Sequence, residues 1–102
     1  MASQVIRNVI EFFQKVKDSE YVTVEFVKKD GSLRKMKCTL DFNKIPQDKR
    51  PKDVNIAKIL NLVNVNKIVH VFDLEKMDWR SVPYDAVKWL EDDQNIKYNI
   101  QR

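Results

Sequence analysis

The 102-residue sequence predicts a mainly β protein of the α+β class, an N-terminal helix followed by a small five-stranded antiparallel barrel. Three observations predict it. Residues 3–17 carry apolar side chains at helical spacing, five later runs are short and strand-like, and turn chemistry separates those runs. Five short antiparallel strands cannot bury two faces as a flat sheet, so closure into a barrel is expected. The expected organisation is one domain over 1–102: helix at 3–18, barrel at 20–91 with a loop and short-helix insertion at 41–66, and a tail at 92–102.

In the first segment Val5, Val9, Phe12 and Val16 repeat with the helical period, widened by Ile6, Ile10 and Phe13, and Ser3 is the expected N-cap. Residues 21–28 (YVTVEFVK) alternate as a strand, with Val22, Val24 and Phe26 on one face and Tyr21, Thr23 and Glu25 on the other. Asp30-Gly31 then predicts a tight hairpin through a primed turn. Its partner strand, 33–40, puts Met36, Cys38 and Leu40 inward and Lys35, Lys37 and Thr39 outward, with Arg34 at the open end turning to solvent. Pro46 and Pro51 mark an ordered loop, and a short helix is expected at about 55–63, the recurring asparagines arguing against a longer one. Strands follow at 67–73, 79–83 and 87–90. Pro83-Tyr84-Asp85-Ala86 forms a single helical turn before the last of them, the corner usual in barrels of the src-homology-3 and Sm type. The polar tail frays or adds a short closing strand at 96–100.

Composition excludes several classes of function. The chain has one glycine where average usage gives roughly seven, so glycine-rich phosphate loops are ruled out. One cysteine excludes an internal disulfide and a multi-cysteine zinc site, and one histidine excludes histidine clusters and the usual histidine-bearing triads. No metal site, cofactor or catalytic residue is expected, and the chain reads as a non-enzymatic binding protein. No apolar run approaches the ~20 residues of a membrane span and no signal-peptide pattern opens the chain, so a cytoplasmic protein with no membrane partner is expected.

The charge is uneven. Net charge is +4, but residues 28–52 carry nine basic against three acidic side chains, while residues 53–102 are close to neutral. A basic segment on a near-neutral body fits a polyanion, whose condensed counterions such contacts release. The candidate contacts are Arg34, Lys35, Lys37, Lys44, Lys49, Arg50, Lys52 and Arg80, the competing role of Arg80 being an ion pair with Asp73 or Asp78. Tyr21, Trp79 and Tyr84 are the candidate stacking rings. The apolar stretch 54–65 exceeds what a small core needs, so Ile56, Ile59, Leu60 and Val63 are candidates for a partner interface.

The segment Val71-Phe72-Asp73-Leu74-Glu75-Lys76-Met77-Asp78-Trp79-Arg80-Ser81-Val82, with Val87 after it, carries a resemblance, together with Asp30-Gly31, Arg34, Met36, Cys38-Thr39-Leu40 and Ile45-Pro46. It resembles a WYL-like family of small phage-encoded proteins with an Sm-like, src-homology-3-type barrel, over roughly residues 21–90. Two departures stand out: the loop after Pro46 is usually short and polar in that family, and Val82 stands where a phenylalanine is expected. The resemblance implies binding, with single-stranded nucleic acid the leading ligand. The alternatives are a protein-interaction module for a host complex, as in host takeover or counter-defence, which the apolar stretch 54–65 motivates, and capture of a nucleotide or signal molecule. A second copy in a homo-oligomer is a further candidate partner.

Overall fold

The structure is a computed structural model that describes residues 4–51 and 55–101, including every side chain there but that of Ile56. Along the chain the elements are β1 (Val5–Ile6), α1 (Val9–Asp18), β2 (Val22–Val27), β3 (Leu33–Thr39), α2 (Ile56–Asn66), β4 (Ile68–Asp73), β5 (Asp78–Pro83), β6 (Val87–Glu91) and β7 (Lys97–Ile100). Single turns of 3-10 helix occur at Phe42–Lys44, Gln47–Lys49 and Tyr84–Ala86, the last where the sequence predicts one.

The first helix starts later than its apolar spacing implies. Asn8 is the N-cap: its side chain accepts from the Glu11 backbone N–H at 3.0 Å, and the Glu11 carboxylate accepts from the Arg7 N–H at 3.0 Å. This reciprocal arrangement is close to a capping box. The expected cap, Ser3, lies outside the described residues. Val5 and Ile6, which the helical period also claims, pair in parallel with β7 instead. Both are β-branched, and the free edge of β7 supplies hydrogen bonds, Asn99 N–H to Gln4 O at 3.0 Å and Gln101 N–H to Ile6 O at 2.8 Å. The tail thus takes the strand option.

The β2–β3 hairpin forms in the expected register, Val22 opposite Cys38 through Val27 opposite Leu33. Its turn is not the primed type. Gly31 N–H donates to Lys28 O at 2.9 Å and Lys28 N–H to Ser32 O at 2.8 Å, and of the loop residues only Gly31 has positive φ, at 89°. This is a three-residue loop in which a type I turn is followed by a left-handed bulge residue. The space around a Cβ at position 31 is open, so φ alone explains the glycine.

The strands form one seven-stranded sheet in the order β1-β7-β6-β2-β3-β4-β5, antiparallel except for β1–β7, and it is not closed. The expected five-stranded closed barrel is therefore corrected on both counts. The five expected strands are present as β2 to β6, and β7 and β1 extend the sheet beyond β6. At the opposite edge, side chains occupy the backbone of β5: Asp78 accepts from the Trp79 N–H at 2.9 Å and Arg80 donates to the Trp79 carbonyl at 2.9 Å. Together with Pro83 these contacts blunt an edge that would otherwise template strand addition.

α1 lays Val9, Phe12, Phe13 and Val16 against a core that includes Val22, Val24, Met36, Cys38, Val69, Val71, Val82 and Leu90. α2 runs three residues beyond its expected end. Asn55 caps it by accepting from the Lys58 N–H at 3.1 Å, and Lys67 closes it in the left-handed region at φ 58°. Asn61, Asn64 and Asn66 are exposed, so the asparagines sit on the solvent side while Ile59, Leu60 and Val63 pack on the core. Among the described residues no helix is long and apolar enough to cross a membrane.

Candidate functional site

The seven candidate basic residues that the structure describes do not form one face. Arg34 does not turn to solvent; its guanidinium meets the fully buried Asp73 carboxylate at 2.6 Å. Lys44 pairs with Glu20 at 3.7 Å, Lys49 with Asp78 at 4.0 Å and Arg80 with Asp78 at 3.7 Å. Arg50 donates through Nε to the Ile45 carbonyl at 2.8 Å, and Lys52 lies outside the described residues. Lys35 and Lys37 are exposed and have no ion pair among the described residues. Thr39, expected beside them on the surface, is buried because its hydroxyl bridges Glu20 O at 2.7 Å and Asp41 N–H at 2.9 Å.

The candidate rings also separate. Tyr84 is buried edge-on to Phe12 and its hydroxyl donates to Gln101 O at 2.6 Å, so it offers no face to a base. Trp79 is half-buried edge-on to Phe72 and donates its indole N–H to Lys49 O at 2.8 Å, fastening the 41–51 connection to β5. Tyr21 alone lies beside the free lysines, its ring centroid 4.1 Å from the Lys37 ammonium.

Trp89 completes this face, and the sequence reading missed it. Strict alternation along β6 puts Val87 and Trp89 on the same side. The structure pairs Val87 with Phe26 and Trp89 with Glu25, so Lys88 is an extra residue and the strand bulges there. The bulge keeps Val87 in the core and turns Trp89 outward. Lys97 of β7, in the tail, is the other missed residue. Its ammonium lies 4.3 Å from the Trp89 ring centroid, that of Lys35 lies at 5.8 Å, and the indole N–H donates to Glu25 at 3.1 Å. The face thus holds two half-buried rings, three lysines and the carboxylates Glu25 and Glu91. A shifting alternation beside the β2 pairing would have been the only signal in the sequence.

The candidate partner residues are mostly spoken for. Val63 is buried, Ile59 and Leu60 pack against the core, and the side chain of Ile56 lies outside those described. Among the described residues, the large apolar side chains that α2 exposes are Leu62 at 48% and Val65 at 66%. Beside them α1, α2, the 40–51 connection and β4–β5 bound a groove of about 730 Å³.

Cys38 is buried, and that burial, with the nearby Asp73 charge, pushes its thiol up to about 12. A thiolate-seeking disulfide reagent at pH 8 is therefore expected to leave it unmodified in the native protein and to react fully in denaturant. Rapid native-state labelling would contradict the packing. No group of three or more metal-ligating side chains placed to hold an ion occurs among the described residues.

The contiguous strand order β6-β2-β3-β4-β5, with a 3-10 turn joining β5 to β6, defines a small β protein of the src-homology-3 and Sm class. Residues 9–87 match the WYL_2 family, described as having an Sm-like SH3 β-barrel fold, and the chain belongs to that family. No curated protein and no solved structure matches it.

Proposed function

We propose that this chain is a non-enzymatic, phage-type binding protein that takes single-stranded nucleic acid across the outer face of β3, β2, β6 and β7. The observation that carries the reading is Trp89 held on an open sheet face between Lys35 and Lys97, with Tyr21 and Lys37 alongside. Single-strand binding combines such rings, on which bases of any sequence stack, with cations that follow the backbone. The lysines here rest on ring faces, contacts worth about 0.5–1 kcal/mol at exposed sites. A phosphate can recruit them at little cost, uncovering the indole for a base. Glu25 and Glu91 reduce the charge of the face, so binding is expected to be of the non-specific strength, roughly 10⁻⁴–10⁻⁶ M at physiological salt.

The test is a tryptophan-quenching titration with a single-stranded oligonucleotide of about 16 residues, an upper site size for small β domains. Three phosphate contacts predict a log–log salt slope near −2, at about −0.7 per contact. Lys35→Glu, Lys37→Glu and Lys97→Glu together are expected to weaken binding at least tenfold with the fold intact by circular dichroism. Undiminished affinity in that triple variant would remove the proposal.

A further inference from the structure

A second site lies in the groove beside α2, and it is independent of the nucleic-acid reading. We infer that the groove binds a small amphipathic anion, a hydrocarbon body carrying a carboxylate head.

The body is indicated by the walls. Phe13, Leu40, Phe42, Ile59, Val63 and Ile68 line the groove, with the Trp79 indole completing it, so its surface is overwhelmingly apolar. Its volume of about 730 Å³ falls within the ~300–1,000 Å³ typical of small-molecule sites. The indole is held in place rather than free to swing inward. Phe72 meets it edge-on at 5.5 Å, and its N–H is spent on the Lys49 carbonyl. The space is therefore framed by fixed groups.

The head is indicated by charge. The ionisable side chains lining the groove are Lys17, Lys49 and His70, and no carboxylate lines it among the described residues. The carboxylates paired with these lysines stand outside the lining: Asp18 at 3.6 Å from the Lys17 ammonium and Asp78 at 4.0 Å from that of Lys49. Both carboxylates are more than half exposed, and surface pairs of this kind contribute little, so an incoming carboxylate can replace them. Neutral hydrogen-bonding capacity is present as well, in Asn66 and in the His70 Nδ1–Ser81 Oγ pair at 2.9 Å. A cationic amphiphile would bring a like charge to a groove lined by two lysines and no carboxylate among the described residues, which fixes the sign of the ligand.

The experiment uses dodecanoate and dodecyltrimethylammonium, the same chain with opposite heads, both below their micellar concentrations. Binding is followed by calorimetry and by the indole N–H resonance of Trp79 in the full chain. Dodecanoate is expected to bind one-to-one, at least tenfold more tightly than the cation, and to shift the Trp79 resonance. Lys17→Glu with Lys49→Glu should reverse that preference. Ser81→Trp, at an exposed position lining the groove, should block both ligands without unfolding the protein. The Lys35, Lys37 and Lys97 reversals should leave dodecanoate binding unchanged, which separates this site from the sheet face. Equal affinity for the two heads, non-saturable uptake, or an unmoved Trp79 resonance would each overturn the inference.

Discussion

Phe12→Ala is expected to lower the midpoint of thermal unfolding by roughly 12–40 °C. Phe12 is 1% exposed, lies at the centre of the α1 face and meets Tyr84 edge-on at 5.9 Å between centroids. Truncating a phenylalanine so enclosed costs about 3–5 kcal/mol, because the lost transfer energy is joined by a cavity that close-packed neighbours cannot collapse. A domain of this size has about 5–15 kcal/mol in total, and each kcal/mol moves the midpoint by about 4–8 °C. Phe13, beside it but facing the groove, has open space on one side and should cost less. Scanning calorimetry of the two variants decides the matter. A loss under about 5 °C for Phe12→Ala would mean that α1 does not seal the core.

The second large effect is expected at Asp73. Its carboxylate is fully buried, accepts from the Glu75 and Lys76 N–H groups at 2.8 and 3.0 Å, and meets the Arg34 guanidinium. It therefore ties the β4–β5 turn to β3, the neighbouring strand of the hairpin. Removing one partner of a buried pair costs about 3–5 kcal/mol, and Arg34 retains some solvent contact, so Asp73→Ala should sit near 3 kcal/mol in urea unfolding at pH 7. Asp73→Asn keeps an acceptor for the turn and should lose less.

The same group predicts the acid behaviour. Burial pushes the Asp73 carboxyl up, but the Lys76 N–H, Arg34 and the Glu75 N–H outweigh it and hold it below the ordinary carboxylate value. Asp92 is alike: burial raises it, while the Ile96 and Gln94 N–H groups and Lys15 lower it further. A lowered native value means that the carboxylate's stabilisation is complete above the unfolded pKa of about 4 and is lost as pH falls through the native value. Stability should thus fall below pH 4, and Asp73→Ala should show a shallower fall. A parallel pH profile in the variant would contradict this assignment.

Much of the fold was legible because its causes are local. Alternation placed β2 through β5 within a residue or two, Asp30-Gly31 announced the hairpin, and Pro83 through Ala86 announced the 3-10 corner. The basic segment was equally legible, but which of its cations remain free was not. Arg34 is claimed by Asp73, 39 residues away, and Trp79 by a carbonyl 30 residues earlier.

By itself, then, the sequence determined strands β2 to β6, the hairpin, the corner and the absence of a glycine-built phosphate cradle, since each depends on residues a few positions apart. Only the tertiary structure decided that Val5 and Ile6 leave the helix for β7, that the sheet stays open, and that a bulge at Lys88 turns Trp89 to the surface. In each case the deciding hydrogen bonds come from strands remote along the chain, and no local pattern encodes a partner that the fold has yet to bring near.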